Sequence, residues 1–158
     1  MKAALLEALH QPVFVHDCPQ PQPQQGQCLV AINSAALNHR DVFIQKGLYA
    51  GIKVPVVLGS DGSGIVAAVG ADTDSSWIGK EVIINPGLNW GPHQTHQAKD
   101  YIILGTPTDG TFAEYVTVDQ SLVHDKPSHL NWHEAAALPL AGVTAYRAIM
   151  VQGALKKG

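Results

Sequence analysis

Glycine and proline interrupt the first 130 residues so often that no long helix can run through them. Fifteen glycines and ten prolines stand in 158 residues, about one residue in six against roughly one in eight in average proteins. The runs between them are short, apolar and rich in β-branched side chains. Residues 2–9 and 13–16, parted by Gln11-Pro12, and residues 28–35, 54–58, 65–69, 77–85 and 112–118 read as strands bounded by turns. Pro19, Pro21 and Pro23 alternate with glutamine, which favours an extended crossing of the surface, too short to be a domain linker. Six to eight short strands at irregular, turn-bounded spacing, followed by helix at the C-terminus, predict a mainly β architecture, a partly open barrel or sandwich with no parallel sheet.

Helix signals are confined to two places. Residues 38–46 can make about two turns before Gly47 stops them. From Trp132 onward the chain turns alanine- and leucine-rich, with Asn131 as a cap and Glu134 at the third helical position. A helix of ten or more residues is expected to begin near Pro139 or Leu140.

Charge and hydropathy exclude several classes of function. Charged residues make up only 15% of the chain against 46% hydrophobic, and the net charge is −3 with neither sign gathered into a block. Nothing here suits a phosphate backbone, so no nucleic-acid partner is expected. No stretch approaches the roughly 20 apolar residues that span a bilayer, and Glu7 and His10 break the opening run before a signal core forms, so a cytoplasmic protein without a membrane partner is expected. Cys18 and Cys28 have no second pair and are expected to be free thiols.

Residues 59–70, GSDGSGIVAAVG, contain GxGxxA as Gly62, Gly64 and Ala67. A dinucleotide turn must open a helix that faces the pyrophosphate, yet IVAAVG is β-branched and reaches Gly70 within a few residues. These glycines are therefore read as lying at strand ends and bulges. His93 and His96 could share an ion, but the stretch from 86 to 110 has no cysteine, and no carboxylate before Asp100, so no metal is expected there. Asn38-His39-Arg40-Asp41 reads, on composition alone, as a helix start with solvent-facing charges. Asp61, set among glycines after VPVVLG, is expected to be partly buried and to need hydrogen bonds. No GxSxG nucleophile motif is present.

The series PQPQQGQCLVAINSAALNHRD, QKGLY, VPVVLGSDGSGIVAAVG, GKEVIIN, DGTFAEYVTV and AAALPLAGVTAYRAI resembles, in order and over nearly the whole chain, the medium-chain dehydrogenase/reductase superfamily. The resemblance is to the GroES-like catalytic domain of its zinc-free quinone reductase branch. It implies that residues 1–158 are one GroES-like domain, a partly open β-barrel with a C-terminal helix. It further implies that the Rossmann cofactor domain is missing from this chain, which ends just before it and should be inactive alone. Zinc-dependent relatives place Cys at the position of Asn38 and His-Glu at Ser60-Asp61, so no zinc is implied. The implied activity is hydride transfer from NADPH to a small-molecule quinone or α,β-unsaturated carbonyl (enone). By the same resemblance Asn38 and Tyr49 are catalytic, Asn38 and Thr144 meet the nicotinamide, and Asp41 and Asp61 stand behind them as polar supports. Gln45 occupies a position where many quinone reductases carry Arg, a departure in the pocket. Two other readings remain open: a stand-alone binding or assembly module, and a fragment of a zinc-dependent alcohol dehydrogenase. An exposed apolar face on the C-terminal helix, between Leu140 and Met150, is expected to favour self-association or a homo-oligomer.

Overall fold

The computed structural model describes residues 1–156; Lys157 and Gly158, included in the domain reading above, lie outside the described residues. Strands β1 (Lys2–Leu6), β2 (Phe14–Asp17) and β3 (Gln27–Ala36) precede the short helix α1 (His39–Gln45). Then come β4 (Val56–Val57), β5 (Asp61–Val69), β6 (Glu81–Ile84), the small hairpin β7 (Gly87–Leu88) and β8 (Ile102–Ile103), β9 (Tyr115–Asp119) and β10 (Val123–Asp125). Helices α2 (Trp132–Ala137) and α3 (Pro139–Tyr146) follow, the latter continuing as a π-helical segment, Arg147–Gln152.

The strands form a five-stranded sheet ordered β10-β6-β5-β3-β9, a three-stranded sheet ordered β2-β1-β4, and the β7-β8 pair. Every pairing among them is antiparallel, so the expected mainly β, GroES-like barrel with a C-terminal helix is what forms. Two apolar clusters fill it. Val30, Val66, Val82, Ile84, Val116 and Val118 pack along the large sheet, while Leu6, Ile44, Val56 and Leu58 join α1 to the small one. Gly64 marks the closest approach of β3 and β5: a Cβ there would lie 2.1 Å from the Ala31 carbonyl oxygen. That explains a glycine inside a strand, next to the register shift between Ile32 and Ser34.

Several boundaries differ from the expectation. The strand that carries residues 65–69 begins four residues earlier, at Asp61, so the glycine-rich segment is itself part of the ladder. Trp77 belongs to a 3-10 turn, Ser75–Trp77, and not to β6; Ile78 and Gly79 continue as a turn, and Lys80 lies outside the strand. Phe112 precedes β9. The stretch from 86 to 110 is not one loop, because β7 and β8 pair within it. Strand β10 has no counterpart in the sequence reading: two of its three side chains are exposed, leaving no alternation to detect. The helix expected from Pro139 or Leu140 is α3, eight residues long before the π-helical segment continues it, and the cap anticipated at Asn131 opens a separate helix, α2. There the Asn131 Oδ1 accepts from the His133 and Glu134 amides, each at 3.0 Å, and Glu134 Oε2 accepts from the Asn131 amide at 3.0 Å, a reciprocal cap. Among the described residues no helix is long and apolar enough to cross a membrane.

Candidate active site

Three segments far apart in sequence meet at Asp61. The end of β3 hands the chain through Leu37 to Asn38, at the head of α1; the β4–β5 connection delivers Asp61; and α3 begins at Pro139. Asn38 Nδ2 donates to Asp61 Oδ2 at 2.9 Å, and the Leu140 amide donates to Asp61 Oδ1 at 2.8 Å. The Thr111 hydroxyl donates to the Asp61 main-chain carbonyl at 2.8 Å. Asp61 is 1% exposed, so both carboxylate oxygens find donors inside the protein, as a buried carboxylate requires.

The charges at the start of α1 do not face solvent. Arg40 is 8% and Asp41 4% exposed, which corrects the reading of this segment as a solvated helix start. The reason is tertiary. Arg40 Nη1 donates to Ser60 Oγ and to the Leu104 carbonyl, both at 2.6 Å, and Ser60 Oγ donates to the same carbonyl at 2.9 Å. The guanidinium carbon also lies 4.8 Å from the centre of the Tyr49 ring. Asp41 Oδ2 accepts from the Asn38 amide at 2.8 Å, while Asp41 Oδ1, Arg40 Nε and Arg40 Nη2 are buried without a hydrogen-bond partner among the described residues. Burial pushes both carboxyl groups above their ordinary range. For Asp41 the Asn38 amide and then Arg40 draw it partly back. For Asp61 the Asn38 side chain and the Leu140 amide do so, the nearby Asp41 charge adds to the rise, and Arg40 opposes it.

Beside this cluster a cleft of about 490 Å³ opens between the segment from Asn85 to Ile103 and α3, lined among others by Asn85, Trp90, Tyr101, Leu140, Thr144 and Arg147. Leu140 thus belongs to both the Asp61 network and the cleft wall. Thr144 Oγ1 donates to the Leu140 carbonyl at 2.7 Å, which directs its hydroxyl proton into the helix and leaves the oxygen able to accept. Tyr101 meets Trp90 edge to face at 5.0 Å between centroids, and Arg147 lies 3.8 Å over the Trp90 ring. Burial raises the Tyr101 phenol, Tyr49 adds to the rise, and Arg40 and Arg147 oppose it.

Of the residues singled out by sequence, Asn38 and Asp61 are brought together directly, and Asp41 bonds the Asn38 main chain. Thr144 lines the cleft. Tyr49 instead packs against the Leu6–Ile44 cluster and under Arg40 and is not among the cleft-lining residues. The sequence reading gives Arg40 only a solvent-facing place and assigns no role to Trp90, Tyr101 or Arg147. Two aromatic residues in a polar stretch that supplies almost no core are the one signal that could have pointed there. His93 and His96 stack at 4.6 Å between centroids, and among the described residues no three His, Cys, Asp or Glu side chains gather as a metal site. The donor set at Asn38, Ser60 and Asp61 does not suit zinc. The amide nitrogen, the hydroxyl and both carboxylate oxygens are engaged in hydrogen bonds, and no thiolate or imidazole stands with them.

Residues 24–128 match the alcohol dehydrogenase GroES-like domain. A zinc-type alcohol dehydrogenase-like protein of Schizosaccharomyces pombe is 34% identical over 92% of this chain and 44% of its own length. The crystal structure of an NAD-dependent alcohol dehydrogenase superposes with a TM-score of 0.92 and 36% identity, over 100% of this chain and 49% of that one. The quinone oxidoreductase from Coxiella burnetii gives a TM-score of 0.79 and 28% identity, over 100% of this chain and 46% of that one. The chain spans about half the length of the relatives it matches.

Proposed function

Because this chain belongs to the alcohol dehydrogenase GroES-like domain family, within the medium-chain dehydrogenase/reductase superfamily, we propose that it supplies the substrate-side half of a zinc-free reductase. Its reaction is hydride transfer from NADPH to a quinone or an α,β-unsaturated carbonyl. The observation that carries this reading is the hydrogen bond from Asn38 Nδ2 to Asp61 Oδ2 at 2.9 Å. Where a zinc enzyme needs thiolate and imidazole donors, this chain has an amide and a carboxylate that satisfy each other.

Hydride addition to the β-carbon of an enone develops negative charge on the carbonyl oxygen, and neutral hydrogen-bond donors can stabilise it without a metal. When bound, the nicotinamide supplies the hydride. Thr144, whose oxygen is free to accept, suits a carboxamide N–H. Asn38, oriented by Asp61 and with its main chain held by Asp41, suits the nicotinamide or the substrate. The Coxiella structure, described as a quinone oxidoreductase, supports the reaction class.

A zinc-dependent alcohol dehydrogenase is the second reading, favoured by the name of the fission-yeast relative. One experiment separates the two. The full-length protein is assayed for NADPH oxidation with benzoquinone and with but-3-en-2-one, and for alcohol oxidation, while its metal content is read by elemental analysis. Reduction with less than about one zinc per ten chains upholds the proposal, and alcohol oxidation that requires about one zinc per chain refutes it.

A further inference from the structure

The cleft beside α3 contains a cation, Arg147, that no side chain among the described residues neutralises. The ion pairs among the described residues join Lys2 to Asp17, His16 to Glu7 and Lys126 to Glu81, and none involves Arg147. Its guanidinium is held by neutral groups instead: Nη2 donates to the Gln94 carbonyl at 2.7 Å, and the carbon lies 3.8 Å over the Trp90 ring. A ring face and a carbonyl fix a guanidinium in place while leaving its charge and several N–H groups available.

The surrounding chain is arranged to keep that geometry. Trp90 Nε1 donates to the His93 carbonyl at 2.8 Å, the Ala98 amide to the Trp90 carbonyl at 2.8 Å, and Gln152 Nε2 to the Thr95 carbonyl at 3.1 Å. The loop is thereby curled on itself and pinned to the helix at two points, Arg147 and Gln152. Arg147 also opens the π-helical segment, a widened turn often found at functional sites. If Arg147 served only as a clasp for the loop, it would not need to line the cleft, yet it does so together with Tyr101 and Thr144. The Tyr101 hydroxyl makes no hydrogen bond among the described residues, and burial keeps the phenol protonated. The cleft therefore offers one neutral O–H donor and one cation, in a volume of about 490 Å³ that suits a small organic molecule.

We propose that this cleft selects an anionic carbonyl substrate, an unsaturated oxo-acid whose carboxylate is taken by Arg147 and whose carbonyl oxygen accepts from the Tyr101 hydroxyl. The inference rests on the reductase reading above and names its substrate class. Hydride leaves NADPH for the β-carbon, the π pair of the C=C bond shifts so that the carbonyl oxygen becomes an enolate, and a solvent proton at the α-carbon restores the carbonyl. NADPH is oxidised to NADP⁺ and the C=C bond is reduced to CH–CH.

The test uses the full-length protein with acetylacrylate and its methyl ester, which share one reacting enone and differ in charge. Wild type prefers the carboxylate in kcat/KM. Arg147→Gln lowers the carboxylate-to-ester ratio by about 10- to 100-fold, the range of a charge-assisted hydrogen bond, and Arg147→Lys restores part of it. Tyr101→Phe lowers kcat/KM for both compounds and leaves the ratio near that of wild type. Calorimetry with levulinate, which has no C=C bond to reduce, reads the site apart from turnover, and Arg147→Gln weakens this binding by about tenfold or more. Levulinate binding that depends on Arg147, without reduction of either enone, removes the reductase reading and leaves the anion site standing. Equal loss of both enones in Arg147→Gln, a wild-type preference for the ester, or levulinate that fails to bind wild type would overturn the proposal. Should Arg147→Gln not fold, the wild-type preference and levulinate binding decide it.

Discussion

Replacing Arg40 by methionine isolates the electrostatics beneath the site. Methionine follows the aliphatic stem of arginine, so the packing against Tyr49 is largely kept while the charge is removed. Asp41 and Asp61, 4% and 1% exposed, would then lose the one cation that lowers both carboxyl groups. Arg40 forms no ion pair with either carboxylate among the described residues, so its charge acts over more than a contact distance and contributes about 1–3 kcal/mol at an effective dielectric of about 20. The Leu104 carbonyl keeps its bond from Ser60, so hydrogen-bond loss adds little. In a domain of this size the expected fall in Tm is about 2–12 °C near neutral pH.

The pH dependence makes the prediction specific. Both carboxyl groups already titrate above their ordinary range in the folded chain, so the stability they contribute is present below the unfolded value and is lost as pH rises through the folded one. Without Arg40 the folded values move higher still, and the loss extends to higher pH. The gap between wild type and Arg40→Met should therefore be small near about pH 4.5 and widen to its full size near about pH 8. Thermal or urea unfolding of both proteins at the two pH values measures it. An equal loss at both pH values would show that Arg40 acts through packing and would refute the charge argument.

Gly64→Ala sets a Cβ 2.1 Å from the Ala31 carbonyl oxygen, so β3 and β5 must separate; a loss above about 4 kcal/mol is expected, seen as little folded protein by circular dichroism. Asn38→Ala strands Asp61 Oδ2 without its side-chain donor, at about 1–3 kcal/mol of stability, and should lower enone reduction by roughly 10- to 100-fold as the oriented amide is lost. The exposed apolar side chains of the C-terminal helix include Tyr146 at 63% and Ile149 at 49%. The chain of residues 1–158 should accordingly associate with itself, and Tyr146→Glu with Ile149→Glu should return it to a monomer by light scattering.

The local part of this protein is legible in its sequence. Glycine and proline, by the backbone angles and donors they supply or withhold, cut the chain into strands and confine helix to the short α1 and the C-terminal segment. Gly47 stops α1 at a positive φ of 67°, and Asn131 with Glu134 caps α2, because each of these acts within a few residues of itself. The strand boundaries at Trp77 and Phe112 went astray because an apolar residue reads alike whether it sits in a ladder or in the turn beside it.

The candidate site was legible only where its members carry a chemical type that cannot be buried unaided. Asp61 announced itself as a carboxylate among glycines, and Asn38, Tyr49, Asp41 and Thr144 entered by family resemblance. That Arg40 and Asp41 turn inward could not be read from a helix of seven residues, which is too short to show which face is apolar. Their burial depends on Ser60 and Leu104, 20 and 64 positions away from Arg40. The meeting of Asn38, Asp61 and Leu140, and the cleft shared by Tyr101, Thr144 and Arg147, are likewise long-range contacts. The sequence by itself determined the kinds of element and where they stop, because turn and strand preferences are properties of the local backbone. The tertiary structure alone decided which polar groups face each other, because only the packing of remote strands, loops and helices brings them within hydrogen-bond distance.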